Sequence, residues 1–162
     1  MINDLTLPEK VSGTYKGAYP FPYIMIDNFL DDSILKTVIE EFKTYDNWFF
    51  DPYNQEYEVK KFFSPVDYDS SLVLAQKAPT TKSVLDYMYS PVVLDYLSRL
   101  TGIENLLPDT TFLGSGMHRI EKDGKLSVHV DFNIQKETGL HRRLNVLIYL
   151  NENWQDEWGG HL

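Results

Sequence analysis

Near the end of this chain, Arg143-Leu144-Asn145-Val146-Leu147-Ile148-Tyr149-Leu150 alternates in a way that suits an extended strand. Successive side chains of a strand point to opposite faces. Leu144, Val146, Ile148 and Leu150 then make one purely apolar face, while Arg143, Asn145, Leu147 and Tyr149 make a mixed one. A strand of this composition is expected to be covered on both sides, with helices on the apolar face and a polar cavity along the other. A fold for this chain has to supply that sheet.

The residues leading into it continue the β pattern. Thr111-Phe112-Leu113 runs into Gly114-Ser115-Gly116, and Met117-His118-Arg119-Ile120 reads as a strand. Lys122-Asp123-Gly124 has the composition of a tight turn. A strand from Lys125 to Asp131 and a polar loop through Gly139 follow. Beyond the strand over 143–150, a polar turn from Asn151 to Glu157 leads to Trp158-Gly159-Gly160-His161-Leu162.

The first hundred residues have a different character. Residues 1–19 are polar and read as a loose arm, and Phe21 to Leu30 reads as a short apolar strand ending in a turn. Asp31, Asp32 and Ser33 can each cap a helix whose stripe is Ile34, Leu35, Val38, Ile39 and Phe42, with Lys36, Glu40, Glu41 and Lys43 opposite. From Asp46 to Pro79 the chain is aromatic and broken by prolines at 52, 65 and 79, which fits irregular wrap, edge strand or substrate lid. A helix is predicted from Thr81 to Tyr89, with Val84, Leu85 and Met88 on one face. Another starts at Ser90-Pro91, buries Val93, Leu94, Leu97 and Leu100, and ends at Gly102. The fold class is therefore α+β.

Composition narrows the chemistry. With 162 residues, 43% hydrophobic and 14% aromatic, the chain can bury a core as one domain. A net charge of -9 with scattered acidic residues gives no counterion-release gain on a phosphate backbone, so no nucleic-acid partner is expected. The absence of cysteine excludes disulfides, thiolate metal sites and a thiol nucleophile. No basic, apolar leader opens the sequence and no apolar run is long enough to span a bilayer, so a cytoplasmic protein without a membrane partner is expected.

One tripeptide carries the chemistry. In His129-Val130-Asp131 the outer residues share a strand face, about 6–7 Å apart along the backbone, while Val128 and Val130 turn into packing. An imidazole and a carboxylate so placed can begin a two-histidine, one-carboxylate iron site.

Residues 129–160 resemble the iron(II)- and 2-oxoglutarate-dependent dioxygenases, in their prolyl 4-hydroxylase-like branch. The similarity rests on His129-Val130-Asp131, Arg142-Arg143-Leu144-Asn145, Ile148-Tyr149-Leu150-Asn151, Trp154 and Gly159-Gly160, with Phe21 to Leu30 resembling the start of such a domain. The resemblance implies N-terminal helices packed on a double-stranded β-helix (jelly-roll) core, with the domain over residues 20–162. It implies that His129 and Asp131 are the catalytic, Fe(II)-binding residues. It also implies that Tyr149 hydrogen-bonds the far carboxylate of 2-oxoglutarate, with Asn145 as a cofactor-binding neighbour on the same face. The reaction implied is hydroxylation of an unactivated C–H bond, a prolyl residue being the branch's best-known target. O2 and 2-oxoglutarate are consumed and succinate is released, with ascorbate as an accessory reductant; the substrate is a protein, a peptide or a small molecule.

The same resemblance requires a distal histidine and a basic residue on later strands. His118, His141 and His161 do not occupy that place, so the domain is expected to be C-terminally incomplete, a fragment with weak Fe(II) binding and little turnover. Two rivals stand beside the dioxygenase. One is a non-catalytic jelly-roll interaction module; the other is a cupin-like metal-binding protein using His129 with a nearby histidine such as His118.

Overall fold

The computed structural model describes residues 1–50, 61–63, 68–112, 115–120 and 129–159. Its elements in chain order are α1 (Leu7–Gly17), α2 (Asp32–Thr44), β1 (Phe49–Phe50), β2 (Lys61–Phe63), α3 (Tyr68–Lys77), α4 (Pro79–Met88), α5 (Pro91–Thr101) and β3 (Met117–Arg119). A single 3-10 turn follows at Asp156–Trp158. The chain divides into two compact units, 1–44 with 74–110 and 45–73 with 111–162. Helices and a small sheet agree with the α+β class.

The helical unit grows from capped, striped segments. Asp31 is the residue that caps α2: its Oδ1 accepts from the Ser33 amide at 2.9 Å and the Ile34 amide at 3.3 Å. The expected stripe Ile34, Leu35, Val38, Ile39 and Phe42 is buried or half-buried, and Lys36, Glu40 and Lys43 are exposed. α5 starts after Ser90 with Pro91 in its first turn and ends at Gly102 in the left-handed conformation (φ 75°), as the sequence predicts. Its most buried face is Val93, Tyr96 and Leu100, and the ring of Phe29 meets Tyr96 edge-on at 5.9 Å.

Glu41 departs from the predicted pattern. Expected on the solvated face of α2, it is half-buried and reaches the first turn of α4. Oε1 accepts from the Thr80 amide at 2.9 Å, and Oε2 accepts from the Thr81 amide and hydroxyl, each at 2.7 Å. α4 opens with alanine at its cap position and proline in its first turn, so its own sequence offers no side-chain acceptor. A carboxylate from a neighbouring helix supplies it, where the exposed N–H groups and helix dipole favour negative charge. Burial alone would raise the Glu41 pKa, but the bonds from Thr81 and Thr80 outweigh it and hold the carboxyl below its ordinary value.

Residues 1–19 are not a loose arm. Leu7–Gly17 forms α1, which packs on α5. Arg99 of α5 bonds Glu9 of α1, its own neighbour Asp95, and the Leu5 carbonyl at 3.1 Å. Asn3 extends the attachment, its Nδ2 donating to the Asn28 and Leu30 carbonyls at 2.8 and 2.9 Å. Nor is Phe21 to Leu30 a strand: only an isolated bridge, Ile2 to Leu30, is formed there. A strand exists by pairing, and only Leu30 of this segment forms a bridge among the described residues.

In the second unit the sheet has the order β1-β2-β3, all antiparallel, with Phe62 opposite Phe49 on one side and His118 on the other. The aromatic stretch 46–79 thus contains two short strands and then α3, and β3 matches the strand predicted at Met117. The strand predicted over Arg143–Leu150 is not formed: 142–150 has no ladder among the described residues. Its alternation partly survives in burial, since Leu144, Ile148 and Leu150 are half-buried while Arg143, Asn145, Leu147 and Tyr149 are exposed. Val146 is exposed as well, because no layer covers that position among the described residues. Of the strand predicted from Lys125 to Asp131, residues 125–128 lie outside the described residues and 129–131 carry no strand assignment.

Glu41→Gln removes a charge and one of two acceptor oxygens at the start of α4. The expected cost is about 1–3 kcal/mol at neutral pH, read by chemical denaturation. Because the folded-state pKa is depressed, the wild-type carboxylate contributes fully above about pH 4.5. That contribution fades as pH falls through the lower folded value. The stability difference between the two proteins should therefore shrink in acid; a pH-independent difference would contradict the cap.

Candidate functional site

The loop after Asp131 is organised by a buried amide. Gln135, 3% exposed, accepts at Oε1 from the amides of Glu137 and Thr138 and from the Thr138 hydroxyl. Its Nε2 donates to the Thr111 hydroxyl at 3.1 Å. Its backbone N–H donates to the Leu140 carbonyl at 2.9 Å, and its carbonyl accepts from the Gly139 amide at 2.8 Å, with Gly139 in the left-handed region (φ 70°). An isolated bridge joins Ile134 to His141, and the Arg142 amide donates to the Asn133 carbonyl at 2.9 Å. The turn therefore folds the chain back on itself and returns Arg142 to Asp131.

At that point four side chains meet. His129 Nε2 lies 3.5 Å from Asp131 Oδ1. Arg142 Nη2 lies 3.1 Å from Asp131 Oδ2, and Asn145 Nδ2 donates to the same oxygen at 2.9 Å. Arg142 Nε donates to Asn145 Oδ1 at 2.7 Å, which closes a ring of three residues. The guanidinium also sits over the Phe132 ring, 4.8 Å from its centroid. The ion-paired groups are partly solvated, and pairs so exposed are worth about 0.2–1 kcal/mol. The cluster therefore directs the carboxylate more than it stabilises the fold.

His129 and Asp131 share a face as their spacing predicts. Val130 does not pack behind them: it is 94% exposed, because no described layer covers the other side. Val128 lies outside the described residues, as do His161 and Gly160. Asn145 is in the cluster, with both ends of its amide engaged by Asp131 and Arg142. Tyr149 is not: it is 58% exposed and hydrogen-bonds none of these groups. His118 stands in β3, and His141 in the bridge to Ile134.

The pair fits a metal as far as two donors can. Two ligands each about 2.1 Å from an ion and about 90° apart lie about 3 Å from each other, within a small adjustment of the separation seen here. Imidazole nitrogen and carboxylate oxygen are also a donor set that suits iron. Among the described residues no group of three or more such side chains surrounds one position, so a third protein donor is not found there. Gln135 is the residue that sequence reasoning passed over, and its signal was the turn composition Gln135-Lys136-Glu137-Thr138-Gly139. Arg142 was legible as part of the run Arg142-Arg143-Leu144-Asn145 that carries the resemblance, with no role of its own assigned.

Comparison with known families matches the C-terminal part of the chain. Residues 115–162 match the model of the 2OG-Fe(II) oxygenase superfamily, a minority of the chain but the part that carries His129, Asp131, Arg142, Asn145 and Tyr149. No curated protein and no solved structure matches the chain.

Gln135→Ala should release the turn. Amide exchange at Gly139 and Arg142 is expected to accelerate, with a stability loss of about 1–2 kcal/mol in urea. Unchanged exchange at both amides would show that the buried side chain does not hold the loop.

Proposed function

We propose that this chain carries two metal donors of a 2-oxoglutarate-dependent dioxygenase that hydroxylates an unactivated C–H bond. The observation that supports it best is the close approach of His129 Nε2 and Asp131 Oδ1 inside the segment that matches the oxygenase family. His129 and Asp131 would hold Fe(II) from two adjacent positions. When bound, Fe(II) with 2-oxoglutarate and O2 supplies the oxidation: one oxygen atom enters the substrate C–H bond, the other enters succinate, and CO2 leaves.

The chain's own part is to orient the metal. Asp131 offers the anionic oxygen, and Arg142 and Asn145 occupy the other oxygen of the same carboxylate. Tyr149, on the exposed face with Asn145 and Leu147, is the proposed partner of the far carboxylate of 2-oxoglutarate; its exposure leaves the hydroxyl accessible. The half-buried Leu144, Ile148 and Leu150 support a jelly-roll position for this stretch. We assign the site to the prolyl 4-hydroxylase-like branch on the run Arg142-Arg143-Leu144-Asn145 and Ile148-Tyr149-Leu150-Asn151. A prolyl residue is then the proposed substrate, with ascorbate as accessory reductant.

Titration with Mn(II), followed by its paramagnetic resonance signal, tests the reading. The wild-type chain should bind the ion, and His129→Ala and Asp131→Ala should each weaken binding by 100-fold or more, on the order expected for losing one of few ligands. A wild-type chain indifferent to Mn(II) would instead fit a non-catalytic interaction module. Binding that needs His118 but tolerates Asp131→Ala would fit the cupin-like reading.

A further inference from the structure

We propose that Arg142 is a positioning residue that, with Asn145, turns the Asp131 carboxylate so that Oδ1 alone faces the metal position beside His129. The inference rests on the metal-binding reading above and adds a positioning role to it: the identity of residue 142, acting with Asn145, sets which Asp131 oxygen is offered to the metal.

The two oxygens of Asp131 have different surroundings. Oδ2 accepts from Asn145 Nδ2 at 2.9 Å and faces Arg142 Nη2 at 3.1 Å. Oδ1 points to His129 Nε2, 3.5 Å away. An ionised carboxylate has about four acceptor sites; on Oδ2 one is taken by the Asn145 amide, and the charged Arg142 guanidinium faces the same oxygen. A cation gripping both oxygens would have to displace these donors and sit against the guanidinium. Gripping Oδ1 alone leaves every bond of the cluster in place.

Arginine is suited to the task through its planar fork. Nε donates to Asn145 Oδ1 at 2.7 Å while Nη2 reaches Asp131, so one rigid group fixes both the carboxylate and the amide that also binds it. A lysine ammonium is a single point charge on a flexible stem and cannot reproduce this pairing. Phe132 beneath the guanidinium further fixes its plane. The fork is brought into place by the Gln135 turn, which bonds the Arg142 amide to the Asn133 carbonyl.

Arg142→Lys and Asn145→Ala test this without altering net charge, so that lost orientation is not mixed with altered attraction for a cation. Each should bind Co(II) about 10-fold or more weaker than wild type, the range typical of groups that orient metal ligands, with a changed visible ligand-field spectrum. Arg143→Lys, at the exposed neighbouring position, should match wild type in both. A second measurement needs no variant. Infrared difference spectra of the wild-type chain with carbon-13 aspartate, with and without Mn(II), should show the wide carboxylate splitting of one-oxygen coordination. A narrow, two-oxygen splitting overturns the proposal, as do Arg142→Lys and Asn145→Ala proteins that keep wild-type affinity and spectrum; in both cases the metal site itself stands. A wild-type chain that binds neither ion overturns the metal-binding reading and this proposal together. If both variants fail to fold, the wild-type infrared splitting decides.

Discussion

A polar side chain that substitutes for missing backbone partners is what each unit of this protein depends on. In the second unit the side chain is Gln135, buried among the amides of Glu137 and Thr138 and the hydroxyls of Thr111 and Thr138. Leaving such donors and acceptors without partners is costly, so the turn closes around the amide. Closing it sets Arg142 against Asp131. The cluster at Asp131 is thus a consequence of loop geometry fixed several residues away.

Glu41 does the corresponding work in the helical unit. α4 begins with residues that cannot cap it, and the carboxylate of α2 accepts its first free N–H groups. Two helices nearly forty residues apart are tied by charge-assisted bonds where apolar contact alone would leave their register loose. Arg99 ties α1 to α5 in the same manner, through Glu9 and the Leu5 carbonyl. Apolar stripes decide which faces meet; these few polar contacts decide the alignment.

What could be read from the sequence follows from how local each feature is. α2 and α5 were legible because the Asp31 cap and stripe of the one, and the Pro91 start, stripe and terminal Gly102 of the other, all lie within the segment that folds. α1 was not: Leu7–Gly17 is polar and contains Gly13, and its partner face on α5 is some ninety residues away. Strands were the least legible, since alternation states a willingness to pair and the partner decides. β3 found one in β2, whereas Phe21 to Leu30 and Arg143–Leu150 did not among the described residues.

The same distinction explains the site. That His129 and Asp131 face one way is a property of residues two apart in extended backbone, and it holds with no ladder there among the described residues. That Val130 should be buried is a statement about a second layer, and it fails where none is present among the described residues. The role of Asn145 lies between these cases. It is exposed together with Arg143, Leu147 and Tyr149, but its amide is committed to Asp131 and Arg142, a contact that the intervening loop creates. Asp131 therefore has one oxygen held by protein donors and one directed toward His129, and this asymmetry is what a cation entering the pair would meet.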